Sequence, residues 1–287
     1  METLGAIVLG IVQGLSEFLP ISSSAHIVFT SNIYAILTGT PIDVESSQQA
    51  FLSIMLHLGT LVAIFVYFRK ELWAIIKSFF KAIYKKDFSD KNAMLGVYII
   101  IGNIFTIAIA YPLKDITEKL LVSPQIVAVL LILTGIVLFF SEFKSKHMKE
   151  HTEKLDYKKA ILIGLAQGLA VFPGFSRSGW TIATGLFSGM DRVTSTRFSF
   201  LLVIPVILGT SVFYPILEIN PSELVGYNWI AIILGTITSA VVGYFCIKYF
   251  LKFVARFSMN FFAYYCIILG SLVVAFFTGI YYGANIS

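Results

Sequence analysis

One phrase occurs twice in this sequence, and both copies interrupt hydrophobic runs. Gly10-Ile11-Val12-Gln13-Gly14-Leu15-Ser16-Glu17-Phe18-Leu19-Pro20-Ile21-Ser22-Ser23-Ser24-Ala25-His26 is echoed by Gly164-Leu165-Ala166-Gln167-Gly168-Leu169-Ala170-Val171-Phe172-Pro173-Gly174-Phe175-Ser176-Arg177-Ser178-Gly179-Trp180. A constant shift of 154 residues sets Gln13 on Gln167 and Ser22-Ser23-Ser24 on Ser176-Arg177-Ser178. The first copy carries a carboxylate and an imidazole, Glu17 and His26, and the second a guanidinium, Arg177. A polar, proline-bearing break inside apolar surroundings must be shielded from lipid by protein or a wet cavity. Ionisable groups held at that depth are functional candidates.

The surroundings are apolar throughout. Hydrophobic residues make up 57% of 287 positions and charged ones 13%, with mean hydropathy +0.85. That excludes an ordinary soluble domain and points to a polytopic, all-α integral membrane protein. The N-terminal run lacks a basic region and a small-residue cleavage site, so it is not read as a cleavable signal. Cys246 and Cys266 lie in separate apolar runs, which argues against a disulfide framework or a zinc site. The net charge of +5 raises nucleic acid as a partner, but the placement of the charges rejects it.

Runs long enough to cross a bilayer lie at 50–68, 92–112, 124–143, 198–217, 228–247 and 260–282. Two further regions are broken. Residues 4–19 and 21–37 flank Pro20 and the serine cluster, and 160–172 and 178–190 flank Pro173-Gly174. Each piece is shorter than the roughly 20 residues of a crossing helix. We therefore expect two re-entrant helical hairpins. Charge placement agrees: 18 of the 21 Lys and Arg residues fall in segments 69–91, 144–159, 191–197 and 248–256. These segments share one side only if neither hairpin crosses. The positive-inside rule makes that side cytoplasmic and leaves both termini outside. Residues 71–86 read as a basic amphipathic helix lying on the cytoplasmic surface.

The repeat extends beyond the hairpins. Leu58-Gly59-Thr60 matches Leu208-Gly209-Thr210, Ile101-Gly102-Asn103 matches Leu234-Gly235-Thr236, and Thr134-Gly135 matches Leu269-Gly270. The chain thus reads as a single membrane domain, 1–287, of two halves at approximately 1–150 and 151–287. Each half is one hairpin plus three crossings, so the second is inverted, and such repeats place a site near the midplane where broken helices meet. Glu17 and His26 are then brought towards Arg177.

Gln13 and Glu17 share a helix face. Pro20 ends that helix, and one of Ser22, Ser23 and Ser24 caps the next, leaving N–H groups aimed into the cavity. Ser176, Arg177 and Ser178 repeat the arrangement and add a cation suited to forked bonding with phosphate. Two helix ends, five serines and one Arg make a cradle for a phosphate or diphosphate. Glu17 and His26 supply a metal ligand or base, and an acid or nucleophile. Plainer readings stand beside these. Glu17 can simply pair with Arg177 to hold the hairpins together, His26 can be a packing residue, and serines at a helix start are usually caps. His57 and Asn103 read as interhelical hydrogen-bonders, with His57 the stronger exception.

Both long motifs, together with Phe198-Ser199-Phe200-Leu201-Leu202 and Pro205, resemble the undecaprenyl-diphosphate phosphatase family, known also for bacitracin resistance. The resemblance covers nearly the whole chain. It implies a cell-membrane enzyme that removes the terminal phosphate of a polyprenyl diphosphate and so recycles the lipid carrier for cell-envelope glycans. It also implies a divalent cation, magnesium or calcium, and an active site open to the outer face. By position, Glu17, His26 and Arg177 carry catalysis, Ser22, Ser23, Ser24, Ser176 and Ser178 bind substrate, and Glu17 with Gln13 holds the metal. Gln13 stands where many members have a first Glu, and Ala25 where Gly is usual. Phosphatidic-acid-type phosphatases need a Lys-x6-Arg-Pro element that is not present. The expected partners are the polyprenyl diphosphate and the bilayer, with a second copy of the chain left open as a homodimer. The rival function is a transporter or flippase for a phosphorylated lipid or ion using the same midplane site.

Overall fold

A computed structural model describes residues 3–39, 47–120, 123–148, 151–213 and 223–286. These are helical nearly throughout, and six helical stretches are long and apolar enough to cross a membrane. The helices are α1 (Thr3–Ser16), α2 (Ser23–Thr38), α3 (Ser47–Lys85), α4 (Lys91–Leu120), α5 (Pro124–Lys146), α6 (Tyr157–Leu169), α7 (Arg177–Phe187), α8 (Arg192–Leu202), α9 (Ile204–Leu208), α10 (Trp229–Val254) and α11 (Asn260–Ile286). A π-helical turn, Gly209–Phe213, continues α9.

Their ends follow local chemistry. Ser123 caps α5 by accepting from the Ile126 N–H, with Pro124 in the first turn. Asp156 caps α6 by accepting from Lys159 N–H at 2.9 Å, and Asp191 caps α8 by accepting from Thr194 N–H at 2.9 Å. Proline has no N–H to continue a ladder, and Pro205 lies where α8 gives way to α9. The candidate span there begins at Arg192, six residues before the expected 198, and the expected residues 214–217 lie outside the described ones.

The largest departure from expectation is α3. The crossing at 50–68 and the amphipathic segment at 71–86 form one helix of 39 residues, about 58 Å long at 1.5 Å per residue. No Gly or Pro lies between Thr60 and Lys85, so nothing interrupts the backbone ladder where the composition changes.

Small residues set the closest crossings. In α1 against α10, a Cβ on Gly10 would strike the Gly235 carbonyl oxygen, and in α6 against α4 a Cβ on Gly164 would strike that of Gly102. In α5 against α11, Gly135 abuts the backbone of Ala263 and Gly270 that of Ala128. The main core cluster lies between these pairs and includes Phe18, Leu131, Ile182, Leu186, Phe200 and Ile247.

The four Lys/Arg-bearing segments converge. Arg197 donates to Glu71 at 2.8 Å, and Lys144 Nζ to the Phe187 carbonyl at 3.1 Å. Thr152 N–H donates to the Gly189 carbonyl at 3.0 Å, which ties the chain before α6 to the chain after α7. A cavity of about 150 Å³ joins Ser145 and His151 to Arg192, Val254 and Ala255.

Candidate active site

The break after α1 is a tight turn. Ser16 turns its hydroxyl back to the Val12 carbonyl, and Glu17 N–H still donates to Gln13 O at 3.0 Å. Ser22 then takes φ +68°, a left-handed conformation that a residue with a Cβ adopts only when its surroundings impose it. In that pose its hydroxyl caps α2 by accepting from Ala25 N–H at 3.3 Å. The break after α6 uses glycine instead: Gly174 has φ +99° and sits against the Val127 carbonyl with no room for a side chain. Ser176 caps α7, accepting from Gly179 N–H at 3.1 Å. In each tip the capping serine lies beside the serine two residues on, Ser22 with Ser24 at 3.1 Å and Ser176 with Ser178 at 3.2 Å.

The two tips are bonded to each other. Ser178 donates to the Leu19 carbonyl at 2.8 Å, and Gly174 N–H donates to the Ser24 hydroxyl at 3.3 Å. Between them Arg177 Nη2 donates to Glu17 Oε1 at 2.5 Å, with only 15% and 7% of the two side chains exposed. Glu17 Oε2 accepts from Gln13 Nε2 at 3.0 Å and from the Ser23 hydroxyl at 2.9 Å. The carboxylate is thus held by a cation, an amide and a hydroxyl from three parts of the two motifs. A buried charge needs this degree of pairing.

His26 is anchored elsewhere. Its Nδ1 lies 2.8 Å from the Ser22 carbonyl and its Nε2 2.7 Å from the Tyr265 hydroxyl. A carbonyl only accepts, so Nδ1 carries a proton and, in the neutral ring, Nε2 receives the tyrosine O–H. The structure therefore brings Gln13, Glu17, Ser23 and Arg177 into one bonded set and the remaining serines around it, while His26 is held by Ser22 and Tyr265 rather than by Glu17 or Arg177.

Several residues beyond the motifs complete the site. His57 of α3 places Nε2 3.7 Å from Glu17 Oε2 while Nδ1 donates to Ser53 O at 2.8 Å. Thr134 receives Ser176 N–H at 3.1 Å and the Trp180 indole N–H at 3.3 Å, which fixes the second tip on α5. Ser199 offers its carbonyl to Arg177 at 3.4 Å and lies 2.6 Å from the Thr181 hydroxyl. A lone polar residue in an apolar span is the signal they share, and it does not distinguish a site from ordinary helix contacts. Asn103 is such a contact, donating to the Leu202 carbonyl across to α8 at 3.0 Å.

For a divalent cation the informative atom is Gln13 Oε1. It is buried, unpartnered and bonded to the same carbon as the amide nitrogen that contacts Glu17. Magnesium is commonly held by one or two carboxylates, with water and substrate phosphates filling the other positions. One carboxylate and one orphaned amide oxygen fit that pattern. Among the described residues no three His, Cys, Asp or Glu side chains gather as an all-protein metal cage.

The chain matches the family described as bacitracin resistance protein BacA over residues 6–272. It belongs to that family. It is 38% identical to undecaprenyl-diphosphatase 1 of Pseudoalteromonas translucida, covering 97% of this chain and 100% of that one. It is 37% identical to an undecaprenyl-diphosphatase of Methanosphaera stadtmanae (96% and 98% covered) and 38% identical to one of Halothermothrix orenii (96% and 98%).

Proposed function

We propose that this BacA-family member is a membrane phosphatase that hydrolyses a polyprenyl diphosphate of the undecaprenyl type to the monophosphate and inorganic phosphate. The observation that carries the reading is the Arg177–Glu17 contact between two serine-capped tips, in a chain similar over nearly its whole length to undecaprenyl-diphosphatases. Arg177 and the N-terminal N–H groups of α2 and α7 bind and orient the diphosphate. Arg177 exchanges part of its bond to Glu17 for phosphate oxygens, and the freed carboxylate then accepts the proton of the nucleophile as the bridging P–O bond breaks and polyprenyl phosphate leaves. The nucleophile is water, or a serine hydroxyl whose phosphate ester water then cleaves to release inorganic phosphate. Gln13 and Glu17 would hold a divalent cation, which supplies charge neutralisation on the phosphates when bound. His26, held through Ser22 and Tyr265, positions the first tip, and in its protonated form it would supply from Nε2 the proton that the leaving polyprenyl phosphate takes up.

The finer architecture belongs to the same proposal. We read α1–α2 and α6–α7 as re-entrant hairpins and the two halves as an inverted repeat. Support comes from the bond joining Thr152 to Gly189 at the two ends of the second hairpin. It comes also from the matched crossings, in which Gly10 meets Gly235 as Gly164 meets Gly102. The gathering of the Lys/Arg-bearing segments on one face supports a first hairpin that opens to the outer side. Association as a homodimer is an open part of the proposal. The test is direct: purified protein is incubated with a polyprenyl diphosphate and magnesium and free phosphate is measured. Phosphate release that disappears in Arg177→Ala supports the reading, and no release from the unaltered protein ends it.

A further inference from the structure

A second charged recess lies on the face where the basic segments converge. It is a crevice of about 480 Å³ between α3, α8 and α10, lined by Tyr67, Phe68, Arg69, Lys70, Glu71, Val193, Arg197 and Leu251. It does not open into the site between the tips. Phe68 meets Phe200 edge-on at 6.5 Å, and Phe200 meets Phe18, the neighbour of Glu17, at 5.2 Å. These three rings are fully or nearly fully buried and lie between the crevice and Glu17.

Three cations share the crevice with one carboxylate. Glu71 pairs with Arg197, which remains 49% exposed, and among the described residues no carboxylate pairs with Arg69 or Lys70. The depth is that of lipid headgroups. Tyr67 packs on Tyr244, and Lys248 lies over the ring of Tyr249 at 5.9 Å, an aromatic and basic belt of the kind that marks a membrane–water boundary. From this level α3 runs on past its membrane span. Trp73, Ile76, Phe80 and Tyr84 are exposed along one strip of it, and Lys70, Lys77, Lys81 and Lys85 lie along the adjoining strip at helical spacing. These lysines add positive charge beside the crevice, which attracts anionic headgroups.

We propose that this crevice is a binding site for the headgroup of an anionic phospholipid of the leaflet facing the basic side. Arg69, Lys70 and Arg197 hold the phosphodiester, and the excess of cations disfavours a headgroup that carries its own ammonium. The site is separate from the phosphatase reading and stands whether or not that reading holds.

The test is competitive lipid retention by the full-length protein in detergent, read by native mass spectrometry with equal amounts of phosphatidylglycerol and phosphatidylcholine. The unaltered protein is expected to retain phosphatidylglycerol preferentially, and Lys70→Gln to lower that preference roughly fivefold. The triple variant Arg69→Gln/Lys70→Gln/Arg197→Gln should lose most of it, while Lys119→Gln, outside the crevice, leaves it unchanged. Release of phosphate from polyprenyl diphosphate should be the same in Lys70→Gln as in the unaltered protein. Lys70 is exposed, so its single variant decides the matter even if the triple variant does not fold. Equal retention of the two lipids, an unchanged preference in Lys70→Gln, or displacement of the lipid by an excess of inorganic phosphate would overturn the proposal.

Discussion

Gln13 and Gln167 stand 154 positions apart at matching places in the two motifs, and both are buried. They do different work. Gln13 donates to Glu17, four residues on, and belongs to the site. Gln167 has Val171 at the corresponding place and donates instead to Thr106 on the neighbouring helix at 3.1 Å. The tips differ in the same way. The first places a carboxylate in the break and pays with a strained serine, and the second places a guanidinium there and turns on a glycine. Two matching motifs therefore supply two serine-capped helix ends, while single side chains decide which end carries the guanidinium and which the carboxylate.

The comparison is broken most severely at its one cation. Arg177→Ala should lower phosphate release by about 10²–10³-fold, the cost of removing one donor to developing charge. The protein should remain folded in detergent, as gel filtration would show, but with a lower unfolding temperature because Glu17 is left buried and unpaired. Turnover near normal in this variant would remove the second tip from the chemistry.

The two matching glycine crossings give the next test. Gly164→Val puts a side chain against the Gly102 backbone and should cost about 2 kcal/mol or more in stability, read by thermal unfolding. Gly10→Val meets the matching obstacle at Gly235 and should cost a similar amount. A large loss at one position and none at the other would argue that the two crossings are not equivalent.

The two glutamines give the finest test. Gln13→Ala should lower activity about tenfold, the scale of losing a partner that orients a reactive carboxylate or metal ligand. Gln167→Leu should leave activity within about twofold and stability within ~1 kcal/mol, since it removes one neutral hydrogen bond together with an orphaned buried oxygen. Equal effects on turnover would erase the distinction drawn here.

Much of this was legible in the sequence. Run length and charge placement locate the six long apolar helices, and Pro20 and Pro173-Gly174 locate the two breaks, because proline and glycine act on the backbone locally. The meeting of Glu17 with Arg177 was legible from the repeat. The unbroken α3 was not, because hydropathy reports the surroundings of a helix rather than its continuity. Nor were the partners chosen by tertiary packing. His57 beside Glu17, Tyr265 on His26 and Thr134 under Ser176 come from helices far along the chain, and no spacing rule links them to the motifs.

The central claim is that Glu17 and Arg177 act as one unit between two tips. The most direct test compares Glu17→Gln, Arg177→Gln and the double variant Glu17→Gln/Arg177→Gln by thermal unfolding and phosphate release. Each single variant should unfold earlier than the unaltered protein, and the double variant should regain much of the lost stability because no unpaired charge remains buried, while all three stay near background activity. Stability losses that add in the double variant, or a double variant that still hydrolyses polyprenyl diphosphate, would contradict the account.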